Sequence, residues 1–209
     1  MSTLVAMLRG INVGGQKRLR METLRGTFGD LGFTKIRTYV QSGNVVFDSA
    51  EQDRSALTKH IEAHIEQTCG YPVEVFIRQE QELKRILAGN LFLNNRNEDP
   101  SKLHVTFLYQ APPDSTWSKL IPPDDTPDEY EIGAMAIYLF CPNGYAKTKL
   151  SNSFFERKLG MPVTTRNWNT VNALYKMAME LKKFRCRGTM YRAPTTEHNT
   201  IHNNKKRGL

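Results

Sequence analysis

Residues 31–47 read LGFTKIRTYVQSGNVVF, two runs rich in strand-forming residues joined by QSGN. Gly43 and Asn44 tolerate the positive φ that a tight turn needs, so strands at 35–40 and 45–47 are expected to form a hairpin. Before the hairpin, residues 21–31 carry helical patterning and Gly32 suits the helix end. Before that helix, residues 3–9 (TLVAMLR) read as a strand, followed by a glycine-rich loop to about Leu19. After the hairpin, Leu57, Ile61 and Ile65 repeat at helical spacing within 51–68, and the pattern stops at Gly70 before Pro72. A strand follows at 73–77. The order strand, helix, strand, strand, helix, strand is the ferredoxin-like split βαβ arrangement.

The remainder reads as a looser copy. A connecting helix at 80–88 and the polar stretch NNRNEDP at 94–100 lead to a strand at 103–109. A proline-rich segment holding Trp117 follows, then strands at 129–132 and 134–140 about Gly133, and helices at 151–159 and 170–181. The expected organisation is α+β: a first ferredoxin-like half at 1–78, a connection at 79–102, a second half at 103–183 and a basic tail at 184–209. No residue-level repeat is visible, so the duplication is one of topology. TLVAMLR and AMAIYLF (134–140) are apolar on both faces, which requires cover on both sides of each sheet. Helices supply one side, so the two halves are expected to pack tightly against each other.

Net charge is +8 over 209 residues, with 29 basic and 21 acidic. From Lys182 onward there are eight basic residues and one acid, leaving 21 basic and 20 acidic elsewhere. A body this near neutrality lacks the field that non-specific binding to a polyphosphate requires, so nucleic acid is not expected there and any anion site must be local. The tail is polar and basic, with no core face, and reads as a flexible, solvated segment; contact of its KKR cluster at 205–207 with acidic partners, nucleic acid included, is the lesser reading. Cys69, Cys141 and Cys186 are odd in number and widely spaced, which reads as free thiols in a reducing cytoplasm. The opening apolar run reaches Arg9 at once, unlike a signal peptide or a membrane span.

Three segments carry candidate chemistry. In RGINVGGQK (9–17) glycine amides could cradle an anion beside Arg9 and Lys17, although both the Walker and the dinucleotide spacings fail. TTRNWN (164–169) reads as the entrance to the last helix, offering Thr165, Arg166 and Asn167. KTKLSNSFFERKLG (147–160) brings Lys147, Lys149 and Arg157 near a helix with a phenylalanine core. His60 and His64 lie four apart on one helix without a third ligand, so no metal is assigned. No cofactor or catalytic residue is assigned either. The first strand lacks the aromatics on which an RNA-recognition module stacks bases.

LRGINVGG, LGFTKIRTYVQSGNVVF and LSNSFFERKLGMPVTTRNWNTV together resemble the signature blocks of the bacterial domain-of-unknown-function family 1697. The resemblance implies a cytoplasmic bacterial protein of two ferredoxin-like α+β halves, and no activity, cofactor or catalytic residue to carry over. The functional expectation is therefore a binding module for a small anion such as a nucleotide or phosphorylated metabolite. Its candidate residues are Arg9, Gly10, Asn12, Gly14, Gly15, Lys17, Thr165, Arg166 and Asn167. The alternatives are a transferase or hydrolase using the same cleft, or a homo-oligomerising protein.

Overall fold

The computed structural model describes residues 1–188 except Gln16, Asp124 and Ala134, with only the helical backbone over 184–188. Two four-stranded antiparallel sheets make up its frame. The first holds β1 (Ser2–Leu8), β2 (Thr34–Tyr39), β3 (Asn44–Ser49) and β4 (Val75–Gln79) in the order β2-β3-β1-β4, with α1 (Met21–Asp30) and α2 (Arg54–Cys69) on one face. The second holds β5 (Leu103–Leu108), β6 (Glu129–Ile132), β7 (Ala136–Phe140) and β8 (Val163–Asn167) in the matching order β6-β7-β5-β8.

The copy is closer than the sequence suggests, and its unit is longer. After β4 the chain continues into α3 (Glu80–Ala88) and α4 (Leu91–Arg96); after β8 it continues into α6 (Trp168–Gly188). The helix read as a connector is thus the last element of the first repeat. The remaining helix, α5 (Asn152–Leu159), corresponds to α2, while a 3-10 turn at Asp114–Lys119 stands where α1 would be. A short proline-bearing segment cannot sustain an α-helix there.

The helices after the fourth strands sit between the sheets. Val5, Met7, Val46 and Phe76 of the first sheet share one buried cluster with Leu103, Val105, Phe107 and Tyr138 of the second. Leu83 and Ile86 of α3 and Trp168, Val171, Leu174 and Ala178 of α6 join it. Each fully buried aliphatic or aromatic side chain contributes about 1.5–3 kcal/mol. This cluster is why β1 is apolar on both faces: Leu4, Ala6 and Leu8 belong instead to the cluster beneath α1 and α2.

Local chemistry sets the element ends. Asp53 accepts hydrogen bonds from the Ser55 and Ala56 amides, so α2 starts at Arg54 rather than at 51. In the hairpin Gly43 has φ +70°, but the second left-handed residue is Val40, not Asn44. Asn44 is a fully buried strand residue whose amide nitrogen donates to the Tyr39 carbonyl and Ser42 Oγ. Residues 94–96, read as linker, belong to α4. The last helix runs past 181 to Gly188; the rest of the expected tail lies outside the described residues.

The outer face of the second sheet holds His104, 8% exposed and stacked on Tyr145 with ring centroids 4.9 Å apart. Burial pushes its pKa down, against a hydrogen bond to the Lys102 backbone that raises it. A buried histidine held neutral contributes stability that is complete above its unfolded pKa of about 6.5 and is lost as pH falls below it. Replacing His104 with Gln is expected to reduce the loss of unfolding free energy between pH 6.5 and 5, read by urea titration. An unchanged slope would assign the acid sensitivity elsewhere.

Candidate functional site

The glycine loop is held by its own side chains. Asn12 accepts from the Leu19 amide (2.9 Å) and donates to the carbonyls of Leu19 (2.9 Å) and Gln41 (2.7 Å). Ile11 is buried against the hairpin turn: a Cβ on Gly43 would meet its Cδ1 at 2.5 Å, so only glycine fits there. Lys17 donates to the Pro72 carbonyl at 2.7 Å and lies 5.9 Å from the centre of the Tyr71 ring. Arg9 pairs with Glu156 of α5 (2.7 Å) and Glu74 (3.3 Å). Gly10, Gly14 and Gly15 are exposed with positive φ. Arg9 and Lys17 therefore already have protein partners.

The segment read as a helix entrance is β8. Asn167 does cap α6, its Oδ1 accepting from the Thr170 amide at 2.8 Å, but Thr165 and Arg166 are strand residues. Arg166 points inward. Its Nη2 donates to the carbonyls of Leu8 (2.7 Å) and Ser42 (3.1 Å), and its Nη1 to Thr164 Oγ1 (2.8 Å) and the Thr165 carbonyl (2.9 Å). Its Nε donates to Asn44 Oδ1 at 2.7 Å, so every nitrogen is bonded. The fold does bring Arg166 beside the base of the loop, at Leu8, but as a structural bridge.

The same bridge occurs in mirror image across the halves. Arg78 of β4 donates from Nη1 to the Ile77 carbonyl (2.8 Å) and from Nη2 to the Leu108 carbonyl. Arg78 stands opposite Val5 and Arg166 opposite Val105 in matching registers. Glu62 Oε1 accepts from the Val75 amide (2.8 Å) as Glu156 Oε1 accepts from Val163 (3.1 Å). Tyr109 donates to Glu62 across the halves (3.1 Å), where Arg9 pairs with Glu156. Burial pushes the Glu62 carboxyl up, against the hydrogen bonds from Val75 and Tyr109; burial and the adjacent Glu62 push the Tyr109 phenol up to about 12.

The symmetry is incomplete: Phe76 stands where Thr164 offers its hydroxyl to Arg166 Nη1, and the partner of Nε is missing as well. Leu8 N donates to the Gly43 carbonyl and Leu108 N to that of Met135, so Ala136 stands where Asn44 stands in the other half. Alanine offers no acceptor, and Arg78 Nε is buried with no hydrogen-bond partner among the described residues. Arg78 is 2% exposed and faces no carboxylate directly; burial pulls its pKa down to about 10, leaving it charged at neutral pH. Beside it opens a cleft of about 610 Å³ between α2 and the loop after β5. Arg54, Ser55, Thr58 and Lys59 form one wall, Tyr109, Gln110 and Met135 the other.

The profile of the family described as "Protein of unknown function (DUF1697)" matches residues 1–138. The chain belongs to this family. No curated protein matches it. Among solved structures, the DUF1697 chain is similar to the conserved bacterial protein SP0830 from Streptococcus pneumoniae, with a TM-score of 0.64 and 22% identity over 85% of this chain and 98% of that one. At that identity the likeness is one of fold. No helix among the described residues is long and apolar enough to cross a membrane.

The arginine bridges were not read from the sequence, though a loose signal was present: GYPV at 70–73 and GMPV at 160–163 each follow a helix, with Arg78 five residues after Val73 and Arg166 three after Val163. Exchanging the acceptor tests the asymmetry. Asn44→Ala is expected to cost about 1–3 kcal/mol by stranding Arg166 Nε. Ala136→Asn is expected to stabilise by about 1 kcal/mol, and only while Arg78 is present, measured by urea unfolding in a double-mutant cycle with Arg78→Met.

Proposed function

We propose that this DUF1697 protein is a small cytoplasmic binding module for an anionic small molecule held in the cleft beside Arg78. One observation carries the reading: a buried guanidinium keeps its charge and a free Nε donor where its symmetry mate has a protein acceptor. Two carbonyls and the more distant Glu82 offset this buried charge only in part; an oxyanion in the cleft adds countercharge and, with a small shift of the side chain, an acceptor for Nε. Lys59 adds a second cation on the cleft wall, and Ser55 and Thr58 add hydroxyl donors. Arg54 contributes less, because it is paired with Glu82 at 2.9 Å.

The cleft fits binding better than catalysis. Its described lining holds no carboxylate, histidine or cysteine, and the Tyr109 phenol is too weak an acid to ionise at neutral pH. The glycine loop gives weaker support, since Arg9 and Lys17 are engaged with Glu156, Glu74 and the Pro72 carbonyl.

Pyrophosphate, compared with chloride at equal ionic strength, is expected to raise the melting temperature saturably. Lys59→Glu is expected to weaken that binding about tenfold, equivalent to about 1.4 kcal/mol, whereas Lys17→Met leaves it unchanged. No shift with pyrophosphate overturns the proposal. A loss with Lys17→Met but not with Lys59→Glu moves the site to the glycine loop.

A further inference from the structure

A second cavity lies on the far side of Met135. It occupies about 310 Å³ between α3 and the β6–β7 hairpin, with Ile86, Leu91, Ile132 and Ala136 on its walls and Tyr138 beneath. Tyr138 is fixed by its hydroxyl, which donates to the Ile86 carbonyl at 2.9 Å. The glycines beside it keep it in place: a Cβ at Gly89 would lie 2.8 Å from the hydroxyl, and one at Gly133 3.0 Å from the ring. A side chain at either position would crowd the phenol.

The cavity mouth is unusually apolar for this surface. Six large hydrophobic residues are exposed among the described residues, and two of them, Leu91 and Ile132, each 45% exposed, line this one opening. A cavity of this size and lining suits an aryl group or a short acyl chain. Its neighbour is the cleft at Arg78. Met135 lines both, and Glu82 of the apolar cavity pairs with Arg54 of the cleft. A flexible thioether and a partly exposed ion pair thus lie at their boundary, and both yield readily.

We infer that the two cavities form one site for a single amphipathic anion, with its acidic head at Arg78 and Lys59 and its apolar body over Tyr138. The inference rests on the proposed anion cleft and adds the ligand class. A bare oxyanion would fill little of the 610 Å³ cleft and leave the adjoining apolar walls in water, whereas a molecule with both ends removes both deficits at once. The apolar cavity carries two carboxylates, Glu82 and Glu131, against one cation, Arg85, so an acidic head is favoured at the Arg78 and Lys59 end and the ligand has one direction in the site.

The test uses three probes on the full chain: 1-anilino-8-naphthalenesulfonate (acid plus aryl body), N-phenyl-1-naphthylamine (neutral body) and pyrophosphate (head alone). Near-UV circular dichroism confirms native packing throughout, since the sulfonate also reports loosened cores. The sulfonate is expected to bind one to one and at least tenfold tighter than either other probe. Ile132→Asp, with Leu91→Asp as a second variant, is expected to weaken the sulfonate tenfold or more and to leave pyrophosphate unchanged. Lys59→Glu should weaken both anions. A sulfonate affinity equal to that of pyrophosphate, or insensitive to both aspartates, overturns the inference and leaves the anion cleft standing. Sulfonate binding that ignores Lys59→Glu also overturns it, because the cavity then works alone. If pyrophosphate fails to bind as well, both readings fall.

Discussion

Two buried guanidinium groups hold this molecule together. Each arises on the fourth strand of one half, folds one nitrogen back onto its own strand and sends another to the carbonyl that ends the first strand of the other half. Arginine suits the task because its planar fork donates in several fixed directions and stays charged after desolvation. Among the described residues neither group pairs directly with a carboxylate; carbonyl dipoles do most of that work, Glu82 acts on Arg78 from farther off, and Arg78 also lies 5.8 Å from the centre of the Phe107 ring. The same contacts occupy outward-facing carbonyls of β4 and β8, while Glu62 and Glu156 occupy the amides of Val75 and Val163. Part of the β4 and β8 edges is thereby withdrawn from stray pairing.

Around this pair the packing is reciprocal. The helix after each fourth strand crosses to the other half's sheet, so Tyr138 bonds to α3 and Lys182 of α6 reaches Glu80 of α3 at 2.9 Å. The central apolar cluster is shared, and neither sheet owns it. This answers the demand read from TLVAMLR and AMAIYLF, whose two apolar faces need two covers.

Fold was legible in the sequence because it rests on periodicity. Leu57, Ile61 and Ile65 announce a helix, and a run apolar on both faces announces a sheet buried on both sides. The order of strands followed. Position 166 was misread because a Thr-Thr-Arg-Asn run just ahead of Trp168 looks like a helix cap, and only register with β5 shows it to be a strand. The candidate site was illegible for a related reason. Whether an arginine is satisfied depends on a residue far along the chain, Asn44 for Arg166 and Ala136 for Arg78, and no local pattern carries that pairing. The glycine loop drew attention through its composition, yet Arg9 and Lys17 find their partners at Glu156 and Pro72, remote in sequence.

The exchanged helices give the chain the logic of a two-fold dimer written into one polypeptide. A lone half would leave its last helix with no sheet to lie on, and a second copy of itself would supply the missing surface. Joining the copies frees each from having to match its own image. Once the two sides of the axis are encoded separately, one can keep asparagine for rigidity while the other gives it up, and an opening on a single side becomes possible in a body built from equals.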